Sequence, residues 1–136
     1  MVAELIAILP LSRLAWVDAR SHRIPDDVIL FLLLCGLYKI YLGGIQFSDA
    51  IFGLVTVGLP VFCFAIFLEK YAVMGGGDIK LCAALGFLFG YAVGYTTILL
   101  AIIFMSLTGL IFRRKAMPFA PFVLPAYCIT IFLRSV

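Results

Sequence analysis

Residues 79–112 read IKLCAALGFLFGYAVGYTTILLAIIFMSLTGLIF, and this apolar stretch decides how the chain folds. As a single helix, rising about 1.5 Å per residue, it would extend about 50 Å, whereas the hydrocarbon core of a bilayer is about 30 Å thick. Two shorter helices joined by a tight turn fit a membrane better. We predict the turn in the sequence GYAVGY at residues 90–95, with its tyrosines at the depth of the membrane interface.

The composition of the whole chain is typical of a membrane protein. Its 136 residues are 65% hydrophobic and 12% charged, with a mean hydropathy of +1.23. A soluble domain is nearer half apolar and about a quarter charged, and so small a globule cannot bury this excess of apolar residues. We therefore predict an all-α integral membrane protein that forms one domain over residues 1–136.

Four further apolar segments give six predicted spans in all. They cover about residues 2–17, 28–42, 50–68 and 118–133. Gly43 and Gly44 are expected to end the second span, and Ser48 and Asp49 to cap the third. The N-terminal segment has no leading positive run, which favours a retained first span over a cleaved signal peptide.

The basic residues indicate the orientation of these spans. With the N-terminus outside, three loops face the cytoplasm, and the outer loops near 43–49 and 90–95 contain no Lys or Arg, although Lys39 lies close to the first. The cytoplasmic loops contain Arg20, Arg23, Lys70, Lys80, Arg113, Arg114 and Lys115. A five-span fold would put the Arg-Arg-Lys cluster outside, so we predict six spans with both termini outside. Because topology explains the net charge of +3, no nucleic-acid surface is expected.

Two acidic residues, Asp18 and Asp78, stand at the ends of predicted spans on the cytoplasmic side. A carboxylate at a membrane boundary is costly, which makes each a candidate functional group. For either residue alone, solvation at the interface is the simpler interpretation. Three glycines, residues 75–77, precede Asp78. They would let an extended peptide approach the carboxylate, or they form a flexible linker.

A pair of carboxylates predicts aspartic proteolysis. Two acids held close together share a proton, so one activates water as a general base while the protonated one hydrogen-bonds the scissile carbonyl. His22 is the single histidine, which leaves no Ser-His-Asp set. Lys80 is two residues from Asp78 and faces away from it on a helix, which favours a contact with the interface, lipid or substrate over an ion pair with Asp78.

The remaining motifs have structural interpretations. Pro25, Asp26 and Asp27 indicate the start of a helix. A metal site built from these two acids and Asp18 has no recognisable ligand spacing, and neither a metal nor a cofactor is expected. The four cysteines lie in apolar segments without a C-x-x-C pair, so we expect them to be buried and to form no zinc site or disulfide framework. The glycine repeat at 86, 90 and 94 indicates helix packing within the fold more than a dimer interface.

Taken together, three motifs resemble those of the type IV prepilin peptidases, which are membrane aspartyl proteases of the GxGD class. The motifs are Asp18 with Arg20 and Arg23-Ile24-Pro25-Asp26, then Gly75-Gly76-Gly77-Asp78-Ile79-Lys80, then Pro118-Phe119-Ala120-Pro121. Their order and spacing match across nearly the whole chain. The resemblance implies that Asp18 and Asp78 are the catalytic pair. The residues expected to shape the site or bind substrate are Gly75, Gly76, Gly77, Lys80, Pro25 and Asp26.

The resemblance implies removal of the short, positively charged leader of prepilins or pseudopilins, at the cytoplasmic face of the inner membrane. Asp26 departs from the Ile-Pro-Asn that is usual in the family. Larger members also have paired C-x-x-C motifs associated with N-methylation of the new pilin terminus. Residues 1–136 contain none, so methyltransferase activity is not expected. The short form resembles the peptidases of tight-adherence pilus systems or of small secretion and competence systems.

Two other functions fit part of the pattern. A GxGD protease of the presenilin kind would cut within a transmembrane helix of its substrate. A small transporter or assembly factor would use the acids to carry protons or to bind a partner. The sequence does not fix the separation of Asp18 and Asp78. The protease interpretation requires their carboxylates to come within hydrogen-bonding reach, directly or through one water.

Overall fold

The computed structural model describes residues 2–21, 24–67, 76–112 and 118–135. The helices in these residues are α1 (Val2–Ser21), α2 (Asp26–Tyr41), α3 (Phe47–Phe67), α4 (Gly76–Phe112) and α5 (Ala120–Ser135). The described part of the chain contains no strand, which confirms the all-α prediction there.

α4 consists of two helical segments that meet at Gly90. This residue has φ 76° and ψ 174°, a combination open to glycine because it lacks a Cβ atom. The break folds the chain back on itself, because Gly94 lies directly against Gly86. A Cβ atom added to Gly94 would lie 3.0 Å from the Cα of Gly86. In an unbroken helix these two positions would be about 12 Å apart. The turn therefore begins at Gly90, within the predicted range.

Glycines bring α3 close to this turn. A Cβ atom added to Gly53 or to Gly86 would overlap the backbone of the other residue, and Val57 lies against both Gly86 and Gly94. The glycine spacing in α4 therefore allows α3 and both segments of α4 to approach at one level. This is the packing role that the sequence indicated.

Apolar side chains fill the core and also cover much of the outside. In the core, Tyr127 of α5 is fully buried and stacks on Phe89 with 4.4 Å between the ring centroids. Outside, large side chains such as Leu9, Trp16 and Leu30 are 60% exposed or more. Soluble monomers rarely expose apolar surface on this scale, so a lipid environment suits the molecule.

One described helix is long and apolar enough to cross a membrane by length and composition, and it covers Gly76–Thr108. The Gly90 break divides it. Two shorter apolar helices cover Phe47–Cys63 and Ala120–Leu133. Length and composition therefore agree with a membrane protein.

The observed ends of two helices differ from the prediction. α1 continues to Ser21, whose hydroxyl donates to the Val17 carbonyl over 2.8 Å, so Asp18 lies inside the last turn of the helix. α3 begins at Phe47, which places Ser48 and Asp49 in its first turn instead of before it. In both cases polar residues that were expected at the border of an apolar segment lie inside the terminal turn of the helix, which tolerates polar side chains.

The end of α2 agrees with the prediction. Gly43 has φ 70° and its N–H donates to the Ile40 carbonyl, while the N–H of Gly44 donates to the Lys39 carbonyl. These bonds satisfy carbonyl groups at the end of the helix, which is the usual role of a glycine after a C-terminus.

The expectation that all four cysteines are buried is wrong for two of them. Cys82 is buried and Cys35 is partly buried, but Cys63 and Cys128 are exposed on apolar helix surfaces. A thiol is a small apolar group, so a lipid-facing position suits it as well as a core position. All four cysteines are free.

Candidate active site

Asp18 ends a stripe of buried side chains along α1. Ala7, Leu11, Leu14 and Asp18 recur at helical spacing, and none is more than 4% exposed. The helix packs this side against α5 and α2. Because a carboxylate is rarely buried without a partner that replaces its lost hydration, Asp18 requires a specific hydrogen-bond donor.

That donor is the first peptide N–H of α5. Ala120 N–H donates to Oδ2 of Asp18 over 3.0 Å in a buried contact. The first N–H groups of a helix have no partner within it, and the N-terminus favours a negative charge. Pro121 has no N–H, and the N–H of Phe122 bonds the carbonyl of Phe119. The motif at residues 118–121 therefore directs Ala120 N–H to Asp18.

Asp78 lies in the first turn of α4 and is half-buried. It precedes Cys82 by four residues, so the two side chains share one face of the helix. Cys82, Leu81 and Leu85 on and beside that face are fully buried. The side of α4 that carries Asp78 therefore faces into the bundle.

Two contacts place the start of α4 beside the connection between α1 and α2. Lys80 Nζ lies 2.9 Å from Oδ1 of Asp26, the first residue of α2. A Cβ atom added to Gly77 would meet the Cβ of Ile24 at 3.0 Å. Since Asp18 lies in the last turn of α1, both acids lie at the same end of the bundle, each on the inward side of its helix.

The ion pair of Lys80 with Asp26 was not among the contacts predicted for Lys80. Helix geometry argued against an ion pair of Lys80 with Asp78. It gave no hint of Asp26, which is 54 positions away in the chain. The contact between Asp18 and Ala120, 102 positions apart, was missed for the same reason. The sequence offered one signal for this ion pair: Lys80 and Asp26 have opposite charges, and both lie in segments predicted to face the cytoplasm.

The start of α2 has the predicted form. Pro25 is the N-cap with φ −70° and ψ 133°, and Asp26 and Asp27 occupy the first turn. No side-chain hydrogen bond caps the helix, because the proline side chain has no acceptor atom. Asp26 bonds Lys80, and Asp27 lies 3.8 Å from Arg13. Among the described residues, no three His, Cys, Asp or Glu side chains are grouped as metal ligands.

The glycines before Asp78 are described in part. A Cβ atom added to Gly76 would meet nothing within 4 Å, so the space beside this residue is open. Gly77, in contrast, lies against Ile24. Gly75 and His22 lie outside the described residues, as do Lys70 and the basic cluster at 113–115.

Comparison with known proteins adds to this geometry. The family described as the type IV leader peptidase family matches residues 5–113. The chain belongs to this family. A curated relative, the "Prepilin leader peptidase/N-methyltransferase" of Pseudomonas putida, is 32% identical over 136 aligned positions. The alignment covers 88% of this chain and 47% of the relative, so the chain spans about half of that protein. No solved structure matches the chain significantly.

Family membership confirms the resemblance that the motifs indicated. Asp18 and Asp78 both lie inside the region that matches the leader peptidase family, whereas Ala120, which binds Asp18, lies beyond it. The structure thus adds to the matched region a contact from α5. The catalytic pairing of the two acids stays a prediction.

Proposed function

We propose that this chain is a membrane aspartyl endopeptidase that removes the leader peptide of type IV prepilins or pseudopilins. Asp18 and Asp78 act as its catalytic pair within a single peptidase domain. The proposal rests on family membership together with one structural observation: Asp18, buried on the core side of α1, is held by Ala120 N–H at the end of the bundle where α4 begins with Asp78.

This observation favours chemistry over interfacial solvation. An acid that only ends a helix at the membrane surface stays hydrated, whereas Asp18 is 4% exposed. Burying a charge costs free energy, so a buried acid in the matched region of a peptidase family is a strong candidate for the reaction. Asp78, on the inward side of α4, is the acid that the family motif pairs with it.

The two carboxylates would share one proton. The ionised member accepts a proton from water, and the water attacks the scissile carbonyl. The protonated member hydrogen-bonds the carbonyl oxygen and stabilises the charge that develops there. A proton then passes to the leaving amine. In this mechanism Ala120 N–H acts as a positioning group, since it fixes the orientation of the Asp18 carboxylate.

The membrane arrangement we propose has six crossings, with α4 contributing two of them on either side of Gly90. Both termini lie outside, and both acids lie at the cytoplasmic face of the inner membrane. The supporting observations are the reversal of the chain at Gly90 and the basic residues that follow α1 and α4 in the sequence. Leader cleavage at this face would release a pilin whose hydrophobic helix is still in the bilayer.

The proposal is tested by co-expressing the chain with a prepilin and following leader removal on a gel. Asp18→Asn and Asp78→Asn are each expected to abolish processing, because neither variant can share a proton between two carboxylates. Asp27→Asn is a matched control, since Asp27 is an exposed acid at the same end of the bundle and pairs with Arg13. We expect it to process prepilin at the wild-type rate.

Normal processing by either catalytic-pair variant would contradict the dyad. The position of the cut, mapped by mass spectrometry, tests the substrate class separately. A cut between the leader and the hydrophobic helix supports a leader peptidase, whereas a cut inside a transmembrane helix would support a protease of the presenilin kind. Absence of any cut, with pH-dependent flux in liposomes, would favour the transporter alternative.

A further inference from the structure

Arg20 belongs to the Asp18 motif, but the structure gives its side chain a contact of its own. Residues two apart on a helix do not face each other, so Arg20 is exposed while Asp18 is buried. The Arg20 guanidinium folds back along α1 and lies 4.7 Å from the centroid of the Trp16 ring. This distance is within the range of a cation–π contact, which extends to about 6 Å. The pair lies on the outer surface of the bundle, where Trp16 is 64% exposed.

The stacked guanidinium of Arg20 keeps its hydrogen-bonding capacity. Its five N–H groups lie in the plane of the group, so a ring against one face leaves them available at the edge. The exposed acids nearby are paired with other bases: Asp27 lies 3.8 Å from Arg13. Asp26 likewise bonds Lys80. Within the part of the chain that the structure describes, Arg20 contacts the indole ring and no carboxylate. It therefore presents a positive charge and N–H donors to its surroundings.

The level of this pair along α1 matches the headgroup layer of a membrane. Leu9, two turns before Trp16, is 74% exposed, which suits contact with hydrocarbon. Arg13 and Asp27, one turn before Trp16, form an exposed ion pair, and such charges favour the edge of the hydrocarbon core. Trp16 lies about 4.5 Å further along the helix axis, whereas the headgroup layer is roughly 5–7 Å thick on each side. Because the guanidinium folds back onto the ring, it lies at this level too.

We propose that Arg20 and Trp16 bind the phosphate of an anionic phospholipid in the surrounding bilayer. The guanidinium donates to two phosphate oxygens, which match its planar fork. The indole covers one face of the cation and contacts the glycerol and the first acyl carbon atoms, as tryptophan does at interfaces. Anionic phosphatidylglycerol is favoured over phosphatidylcholine, because the quaternary ammonium of phosphatidylcholine would lie near a guanidinium of the same charge.

This contact holds Asp18 at a fixed depth in the membrane. Asp18 lies between Trp16 and Arg20 on the same helix, about 3 Å along the axis from either residue. A lipid held by the pair therefore fixes the distance of this acid from the phosphate layer. The lipid site goes beyond the proposed peptidase activity and does not depend on it, since its test measures lipid contact alone.

The chain offers a specific probe of this site, because Trp16 is its single tryptophan. The full chain is reconstituted in equimolar phosphatidylglycerol and phosphatidylcholine, with brominated acyl chains on one lipid at a time. Bromine quenches indole fluorescence at short range, so the two quenching values report which lipid lies beside Trp16. We expect brominated phosphatidylglycerol to quench several-fold more strongly than brominated phosphatidylcholine.

Two variants separate a specific site from general surface charge. Arg20→Gln keeps the fluorescent probe and should make quenching by the two lipids equal. Arg13→Gln is the matched control, because it removes the same charge from the same helix one turn from Trp16, but that charge is balanced by Asp27. We expect Arg13→Gln to keep the wild-type preference. Both side chains are exposed, so both variants should fold, which circular dichroism in the helical region checks.

Equal quenching by the two lipids in the wild type would overturn the proposal, and this comparison needs no variant. An undiminished preference in Arg20→Gln would overturn it as well. An equal loss of preference in Arg13→Gln would show that net positive charge attracts the lipid without a specific site. Removal of the preference by inorganic phosphate, added at constant ionic strength, would show that the pair binds a free anion instead of a lipid.

Discussion

The Asp18 carboxylate is a structural group as well as a candidate catalyst. It replaces its lost hydration with a bond from Ala120 N–H, and that bond joins the end of α1 to the start of α5. A substitution at this position therefore affects two properties at once. Loss of cleavage alone does not distinguish a missing catalyst from a displaced helix, so the two effects have to be measured separately.

We expect Asp18→Asn and Asp18→Ala both to lose cleavage but to differ in stability. Asparagine keeps a side-chain oxygen that can accept the Ala120 N–H, whereas alanine leaves that buried donor unpaired, which costs about 1–3 kcal/mol. Thermal unfolding in detergent should therefore give a higher midpoint for Asp18→Asn than for Asp18→Ala. Equal midpoints for the two variants would mean that the hydrogen bond to Ala120 contributes nothing to the fold.

Local sequence patterns identified both candidate acids but not the groups that hold them. Asp18 and Asp78 were recognisable because a carboxylate beside an apolar helix costs free energy, whichever elements the helix packs against. Ala120 could not be predicted as a partner because its contribution is a backbone N–H, which has no side-chain signature. Asp26 and Lys80 were both noted as site residues, but their contact depends on how α2 and α4 pack.

At the scale of elements, the position of Asp78 depends on how the first turn of α4 is tied to its neighbours. Lys80 binds Asp26 at the start of α2, and Gly77 lies against Ile24. The ion pair is exposed, with side-chain exposures of 59% and 77%, so it contributes at most about 1 kcal/mol to stability. Its effect on function should be larger, because it positions the turn that carries a candidate catalytic acid.

A double-mutant cycle tests this positioning role. Lys80→Ala and Asp26→Ala should each slow leader cleavage while changing the free energy of unfolding by less than about 1 kcal/mol. The double variant should be no slower than either single variant, because both remove the same contact. Arg13→Gln is the matched control, since the pair of Arg13 and Asp27 joins α1 to α2 without touching α4.

Independent effects that multiply in the double variant would contradict the positioning role. They would indicate that Lys80 and Asp26 contact lipid or substrate separately, as the sequence alone suggested for Lys80. A slow Arg13→Gln variant would show that any charge lost at this end of the bundle reduces cleavage, whatever its contact.

The reversal within α4 was the element-level feature that the sequence predicted best. One straight helix over residues 79–112 would be longer than a bilayer is thick, so the sequence required a break in this segment. The structure has that break at Gly90. The ends of α1 and α3 were predicted less well. Polar residues at a helix end are compatible with the last turn or with the loop that follows, and composition does not separate the two.

At the scale of the whole molecule, the two ends of the bundle have different chemistry. One end has the inward-facing acids Asp18 and Asp78, and the other has a cavity lined in part by Lys39 and Asp49. The reversal at Gly90 determines this arrangement, because it returns the chain to the end where α5 begins. Without it, Ala120 would lie at the far end of α4 and could not reach Asp18.

Membrane topology tests this arrangement directly. Epitope tags inserted in the full chain after Gly44 and at the C-terminus should be accessible from outside in intact spheroplasts, whereas a tag after Arg114 should be accessible only after lysis. A tag after Lys70 is a control, because it lies inside whether or not α4 reverses. If α4 crossed the membrane once, the tag after Arg114 would be labelled from outside and the C-terminal tag would be protected. That result would also separate Asp18 from the start of α5, so it would contradict the Ala120 contact together with the six-crossing topology.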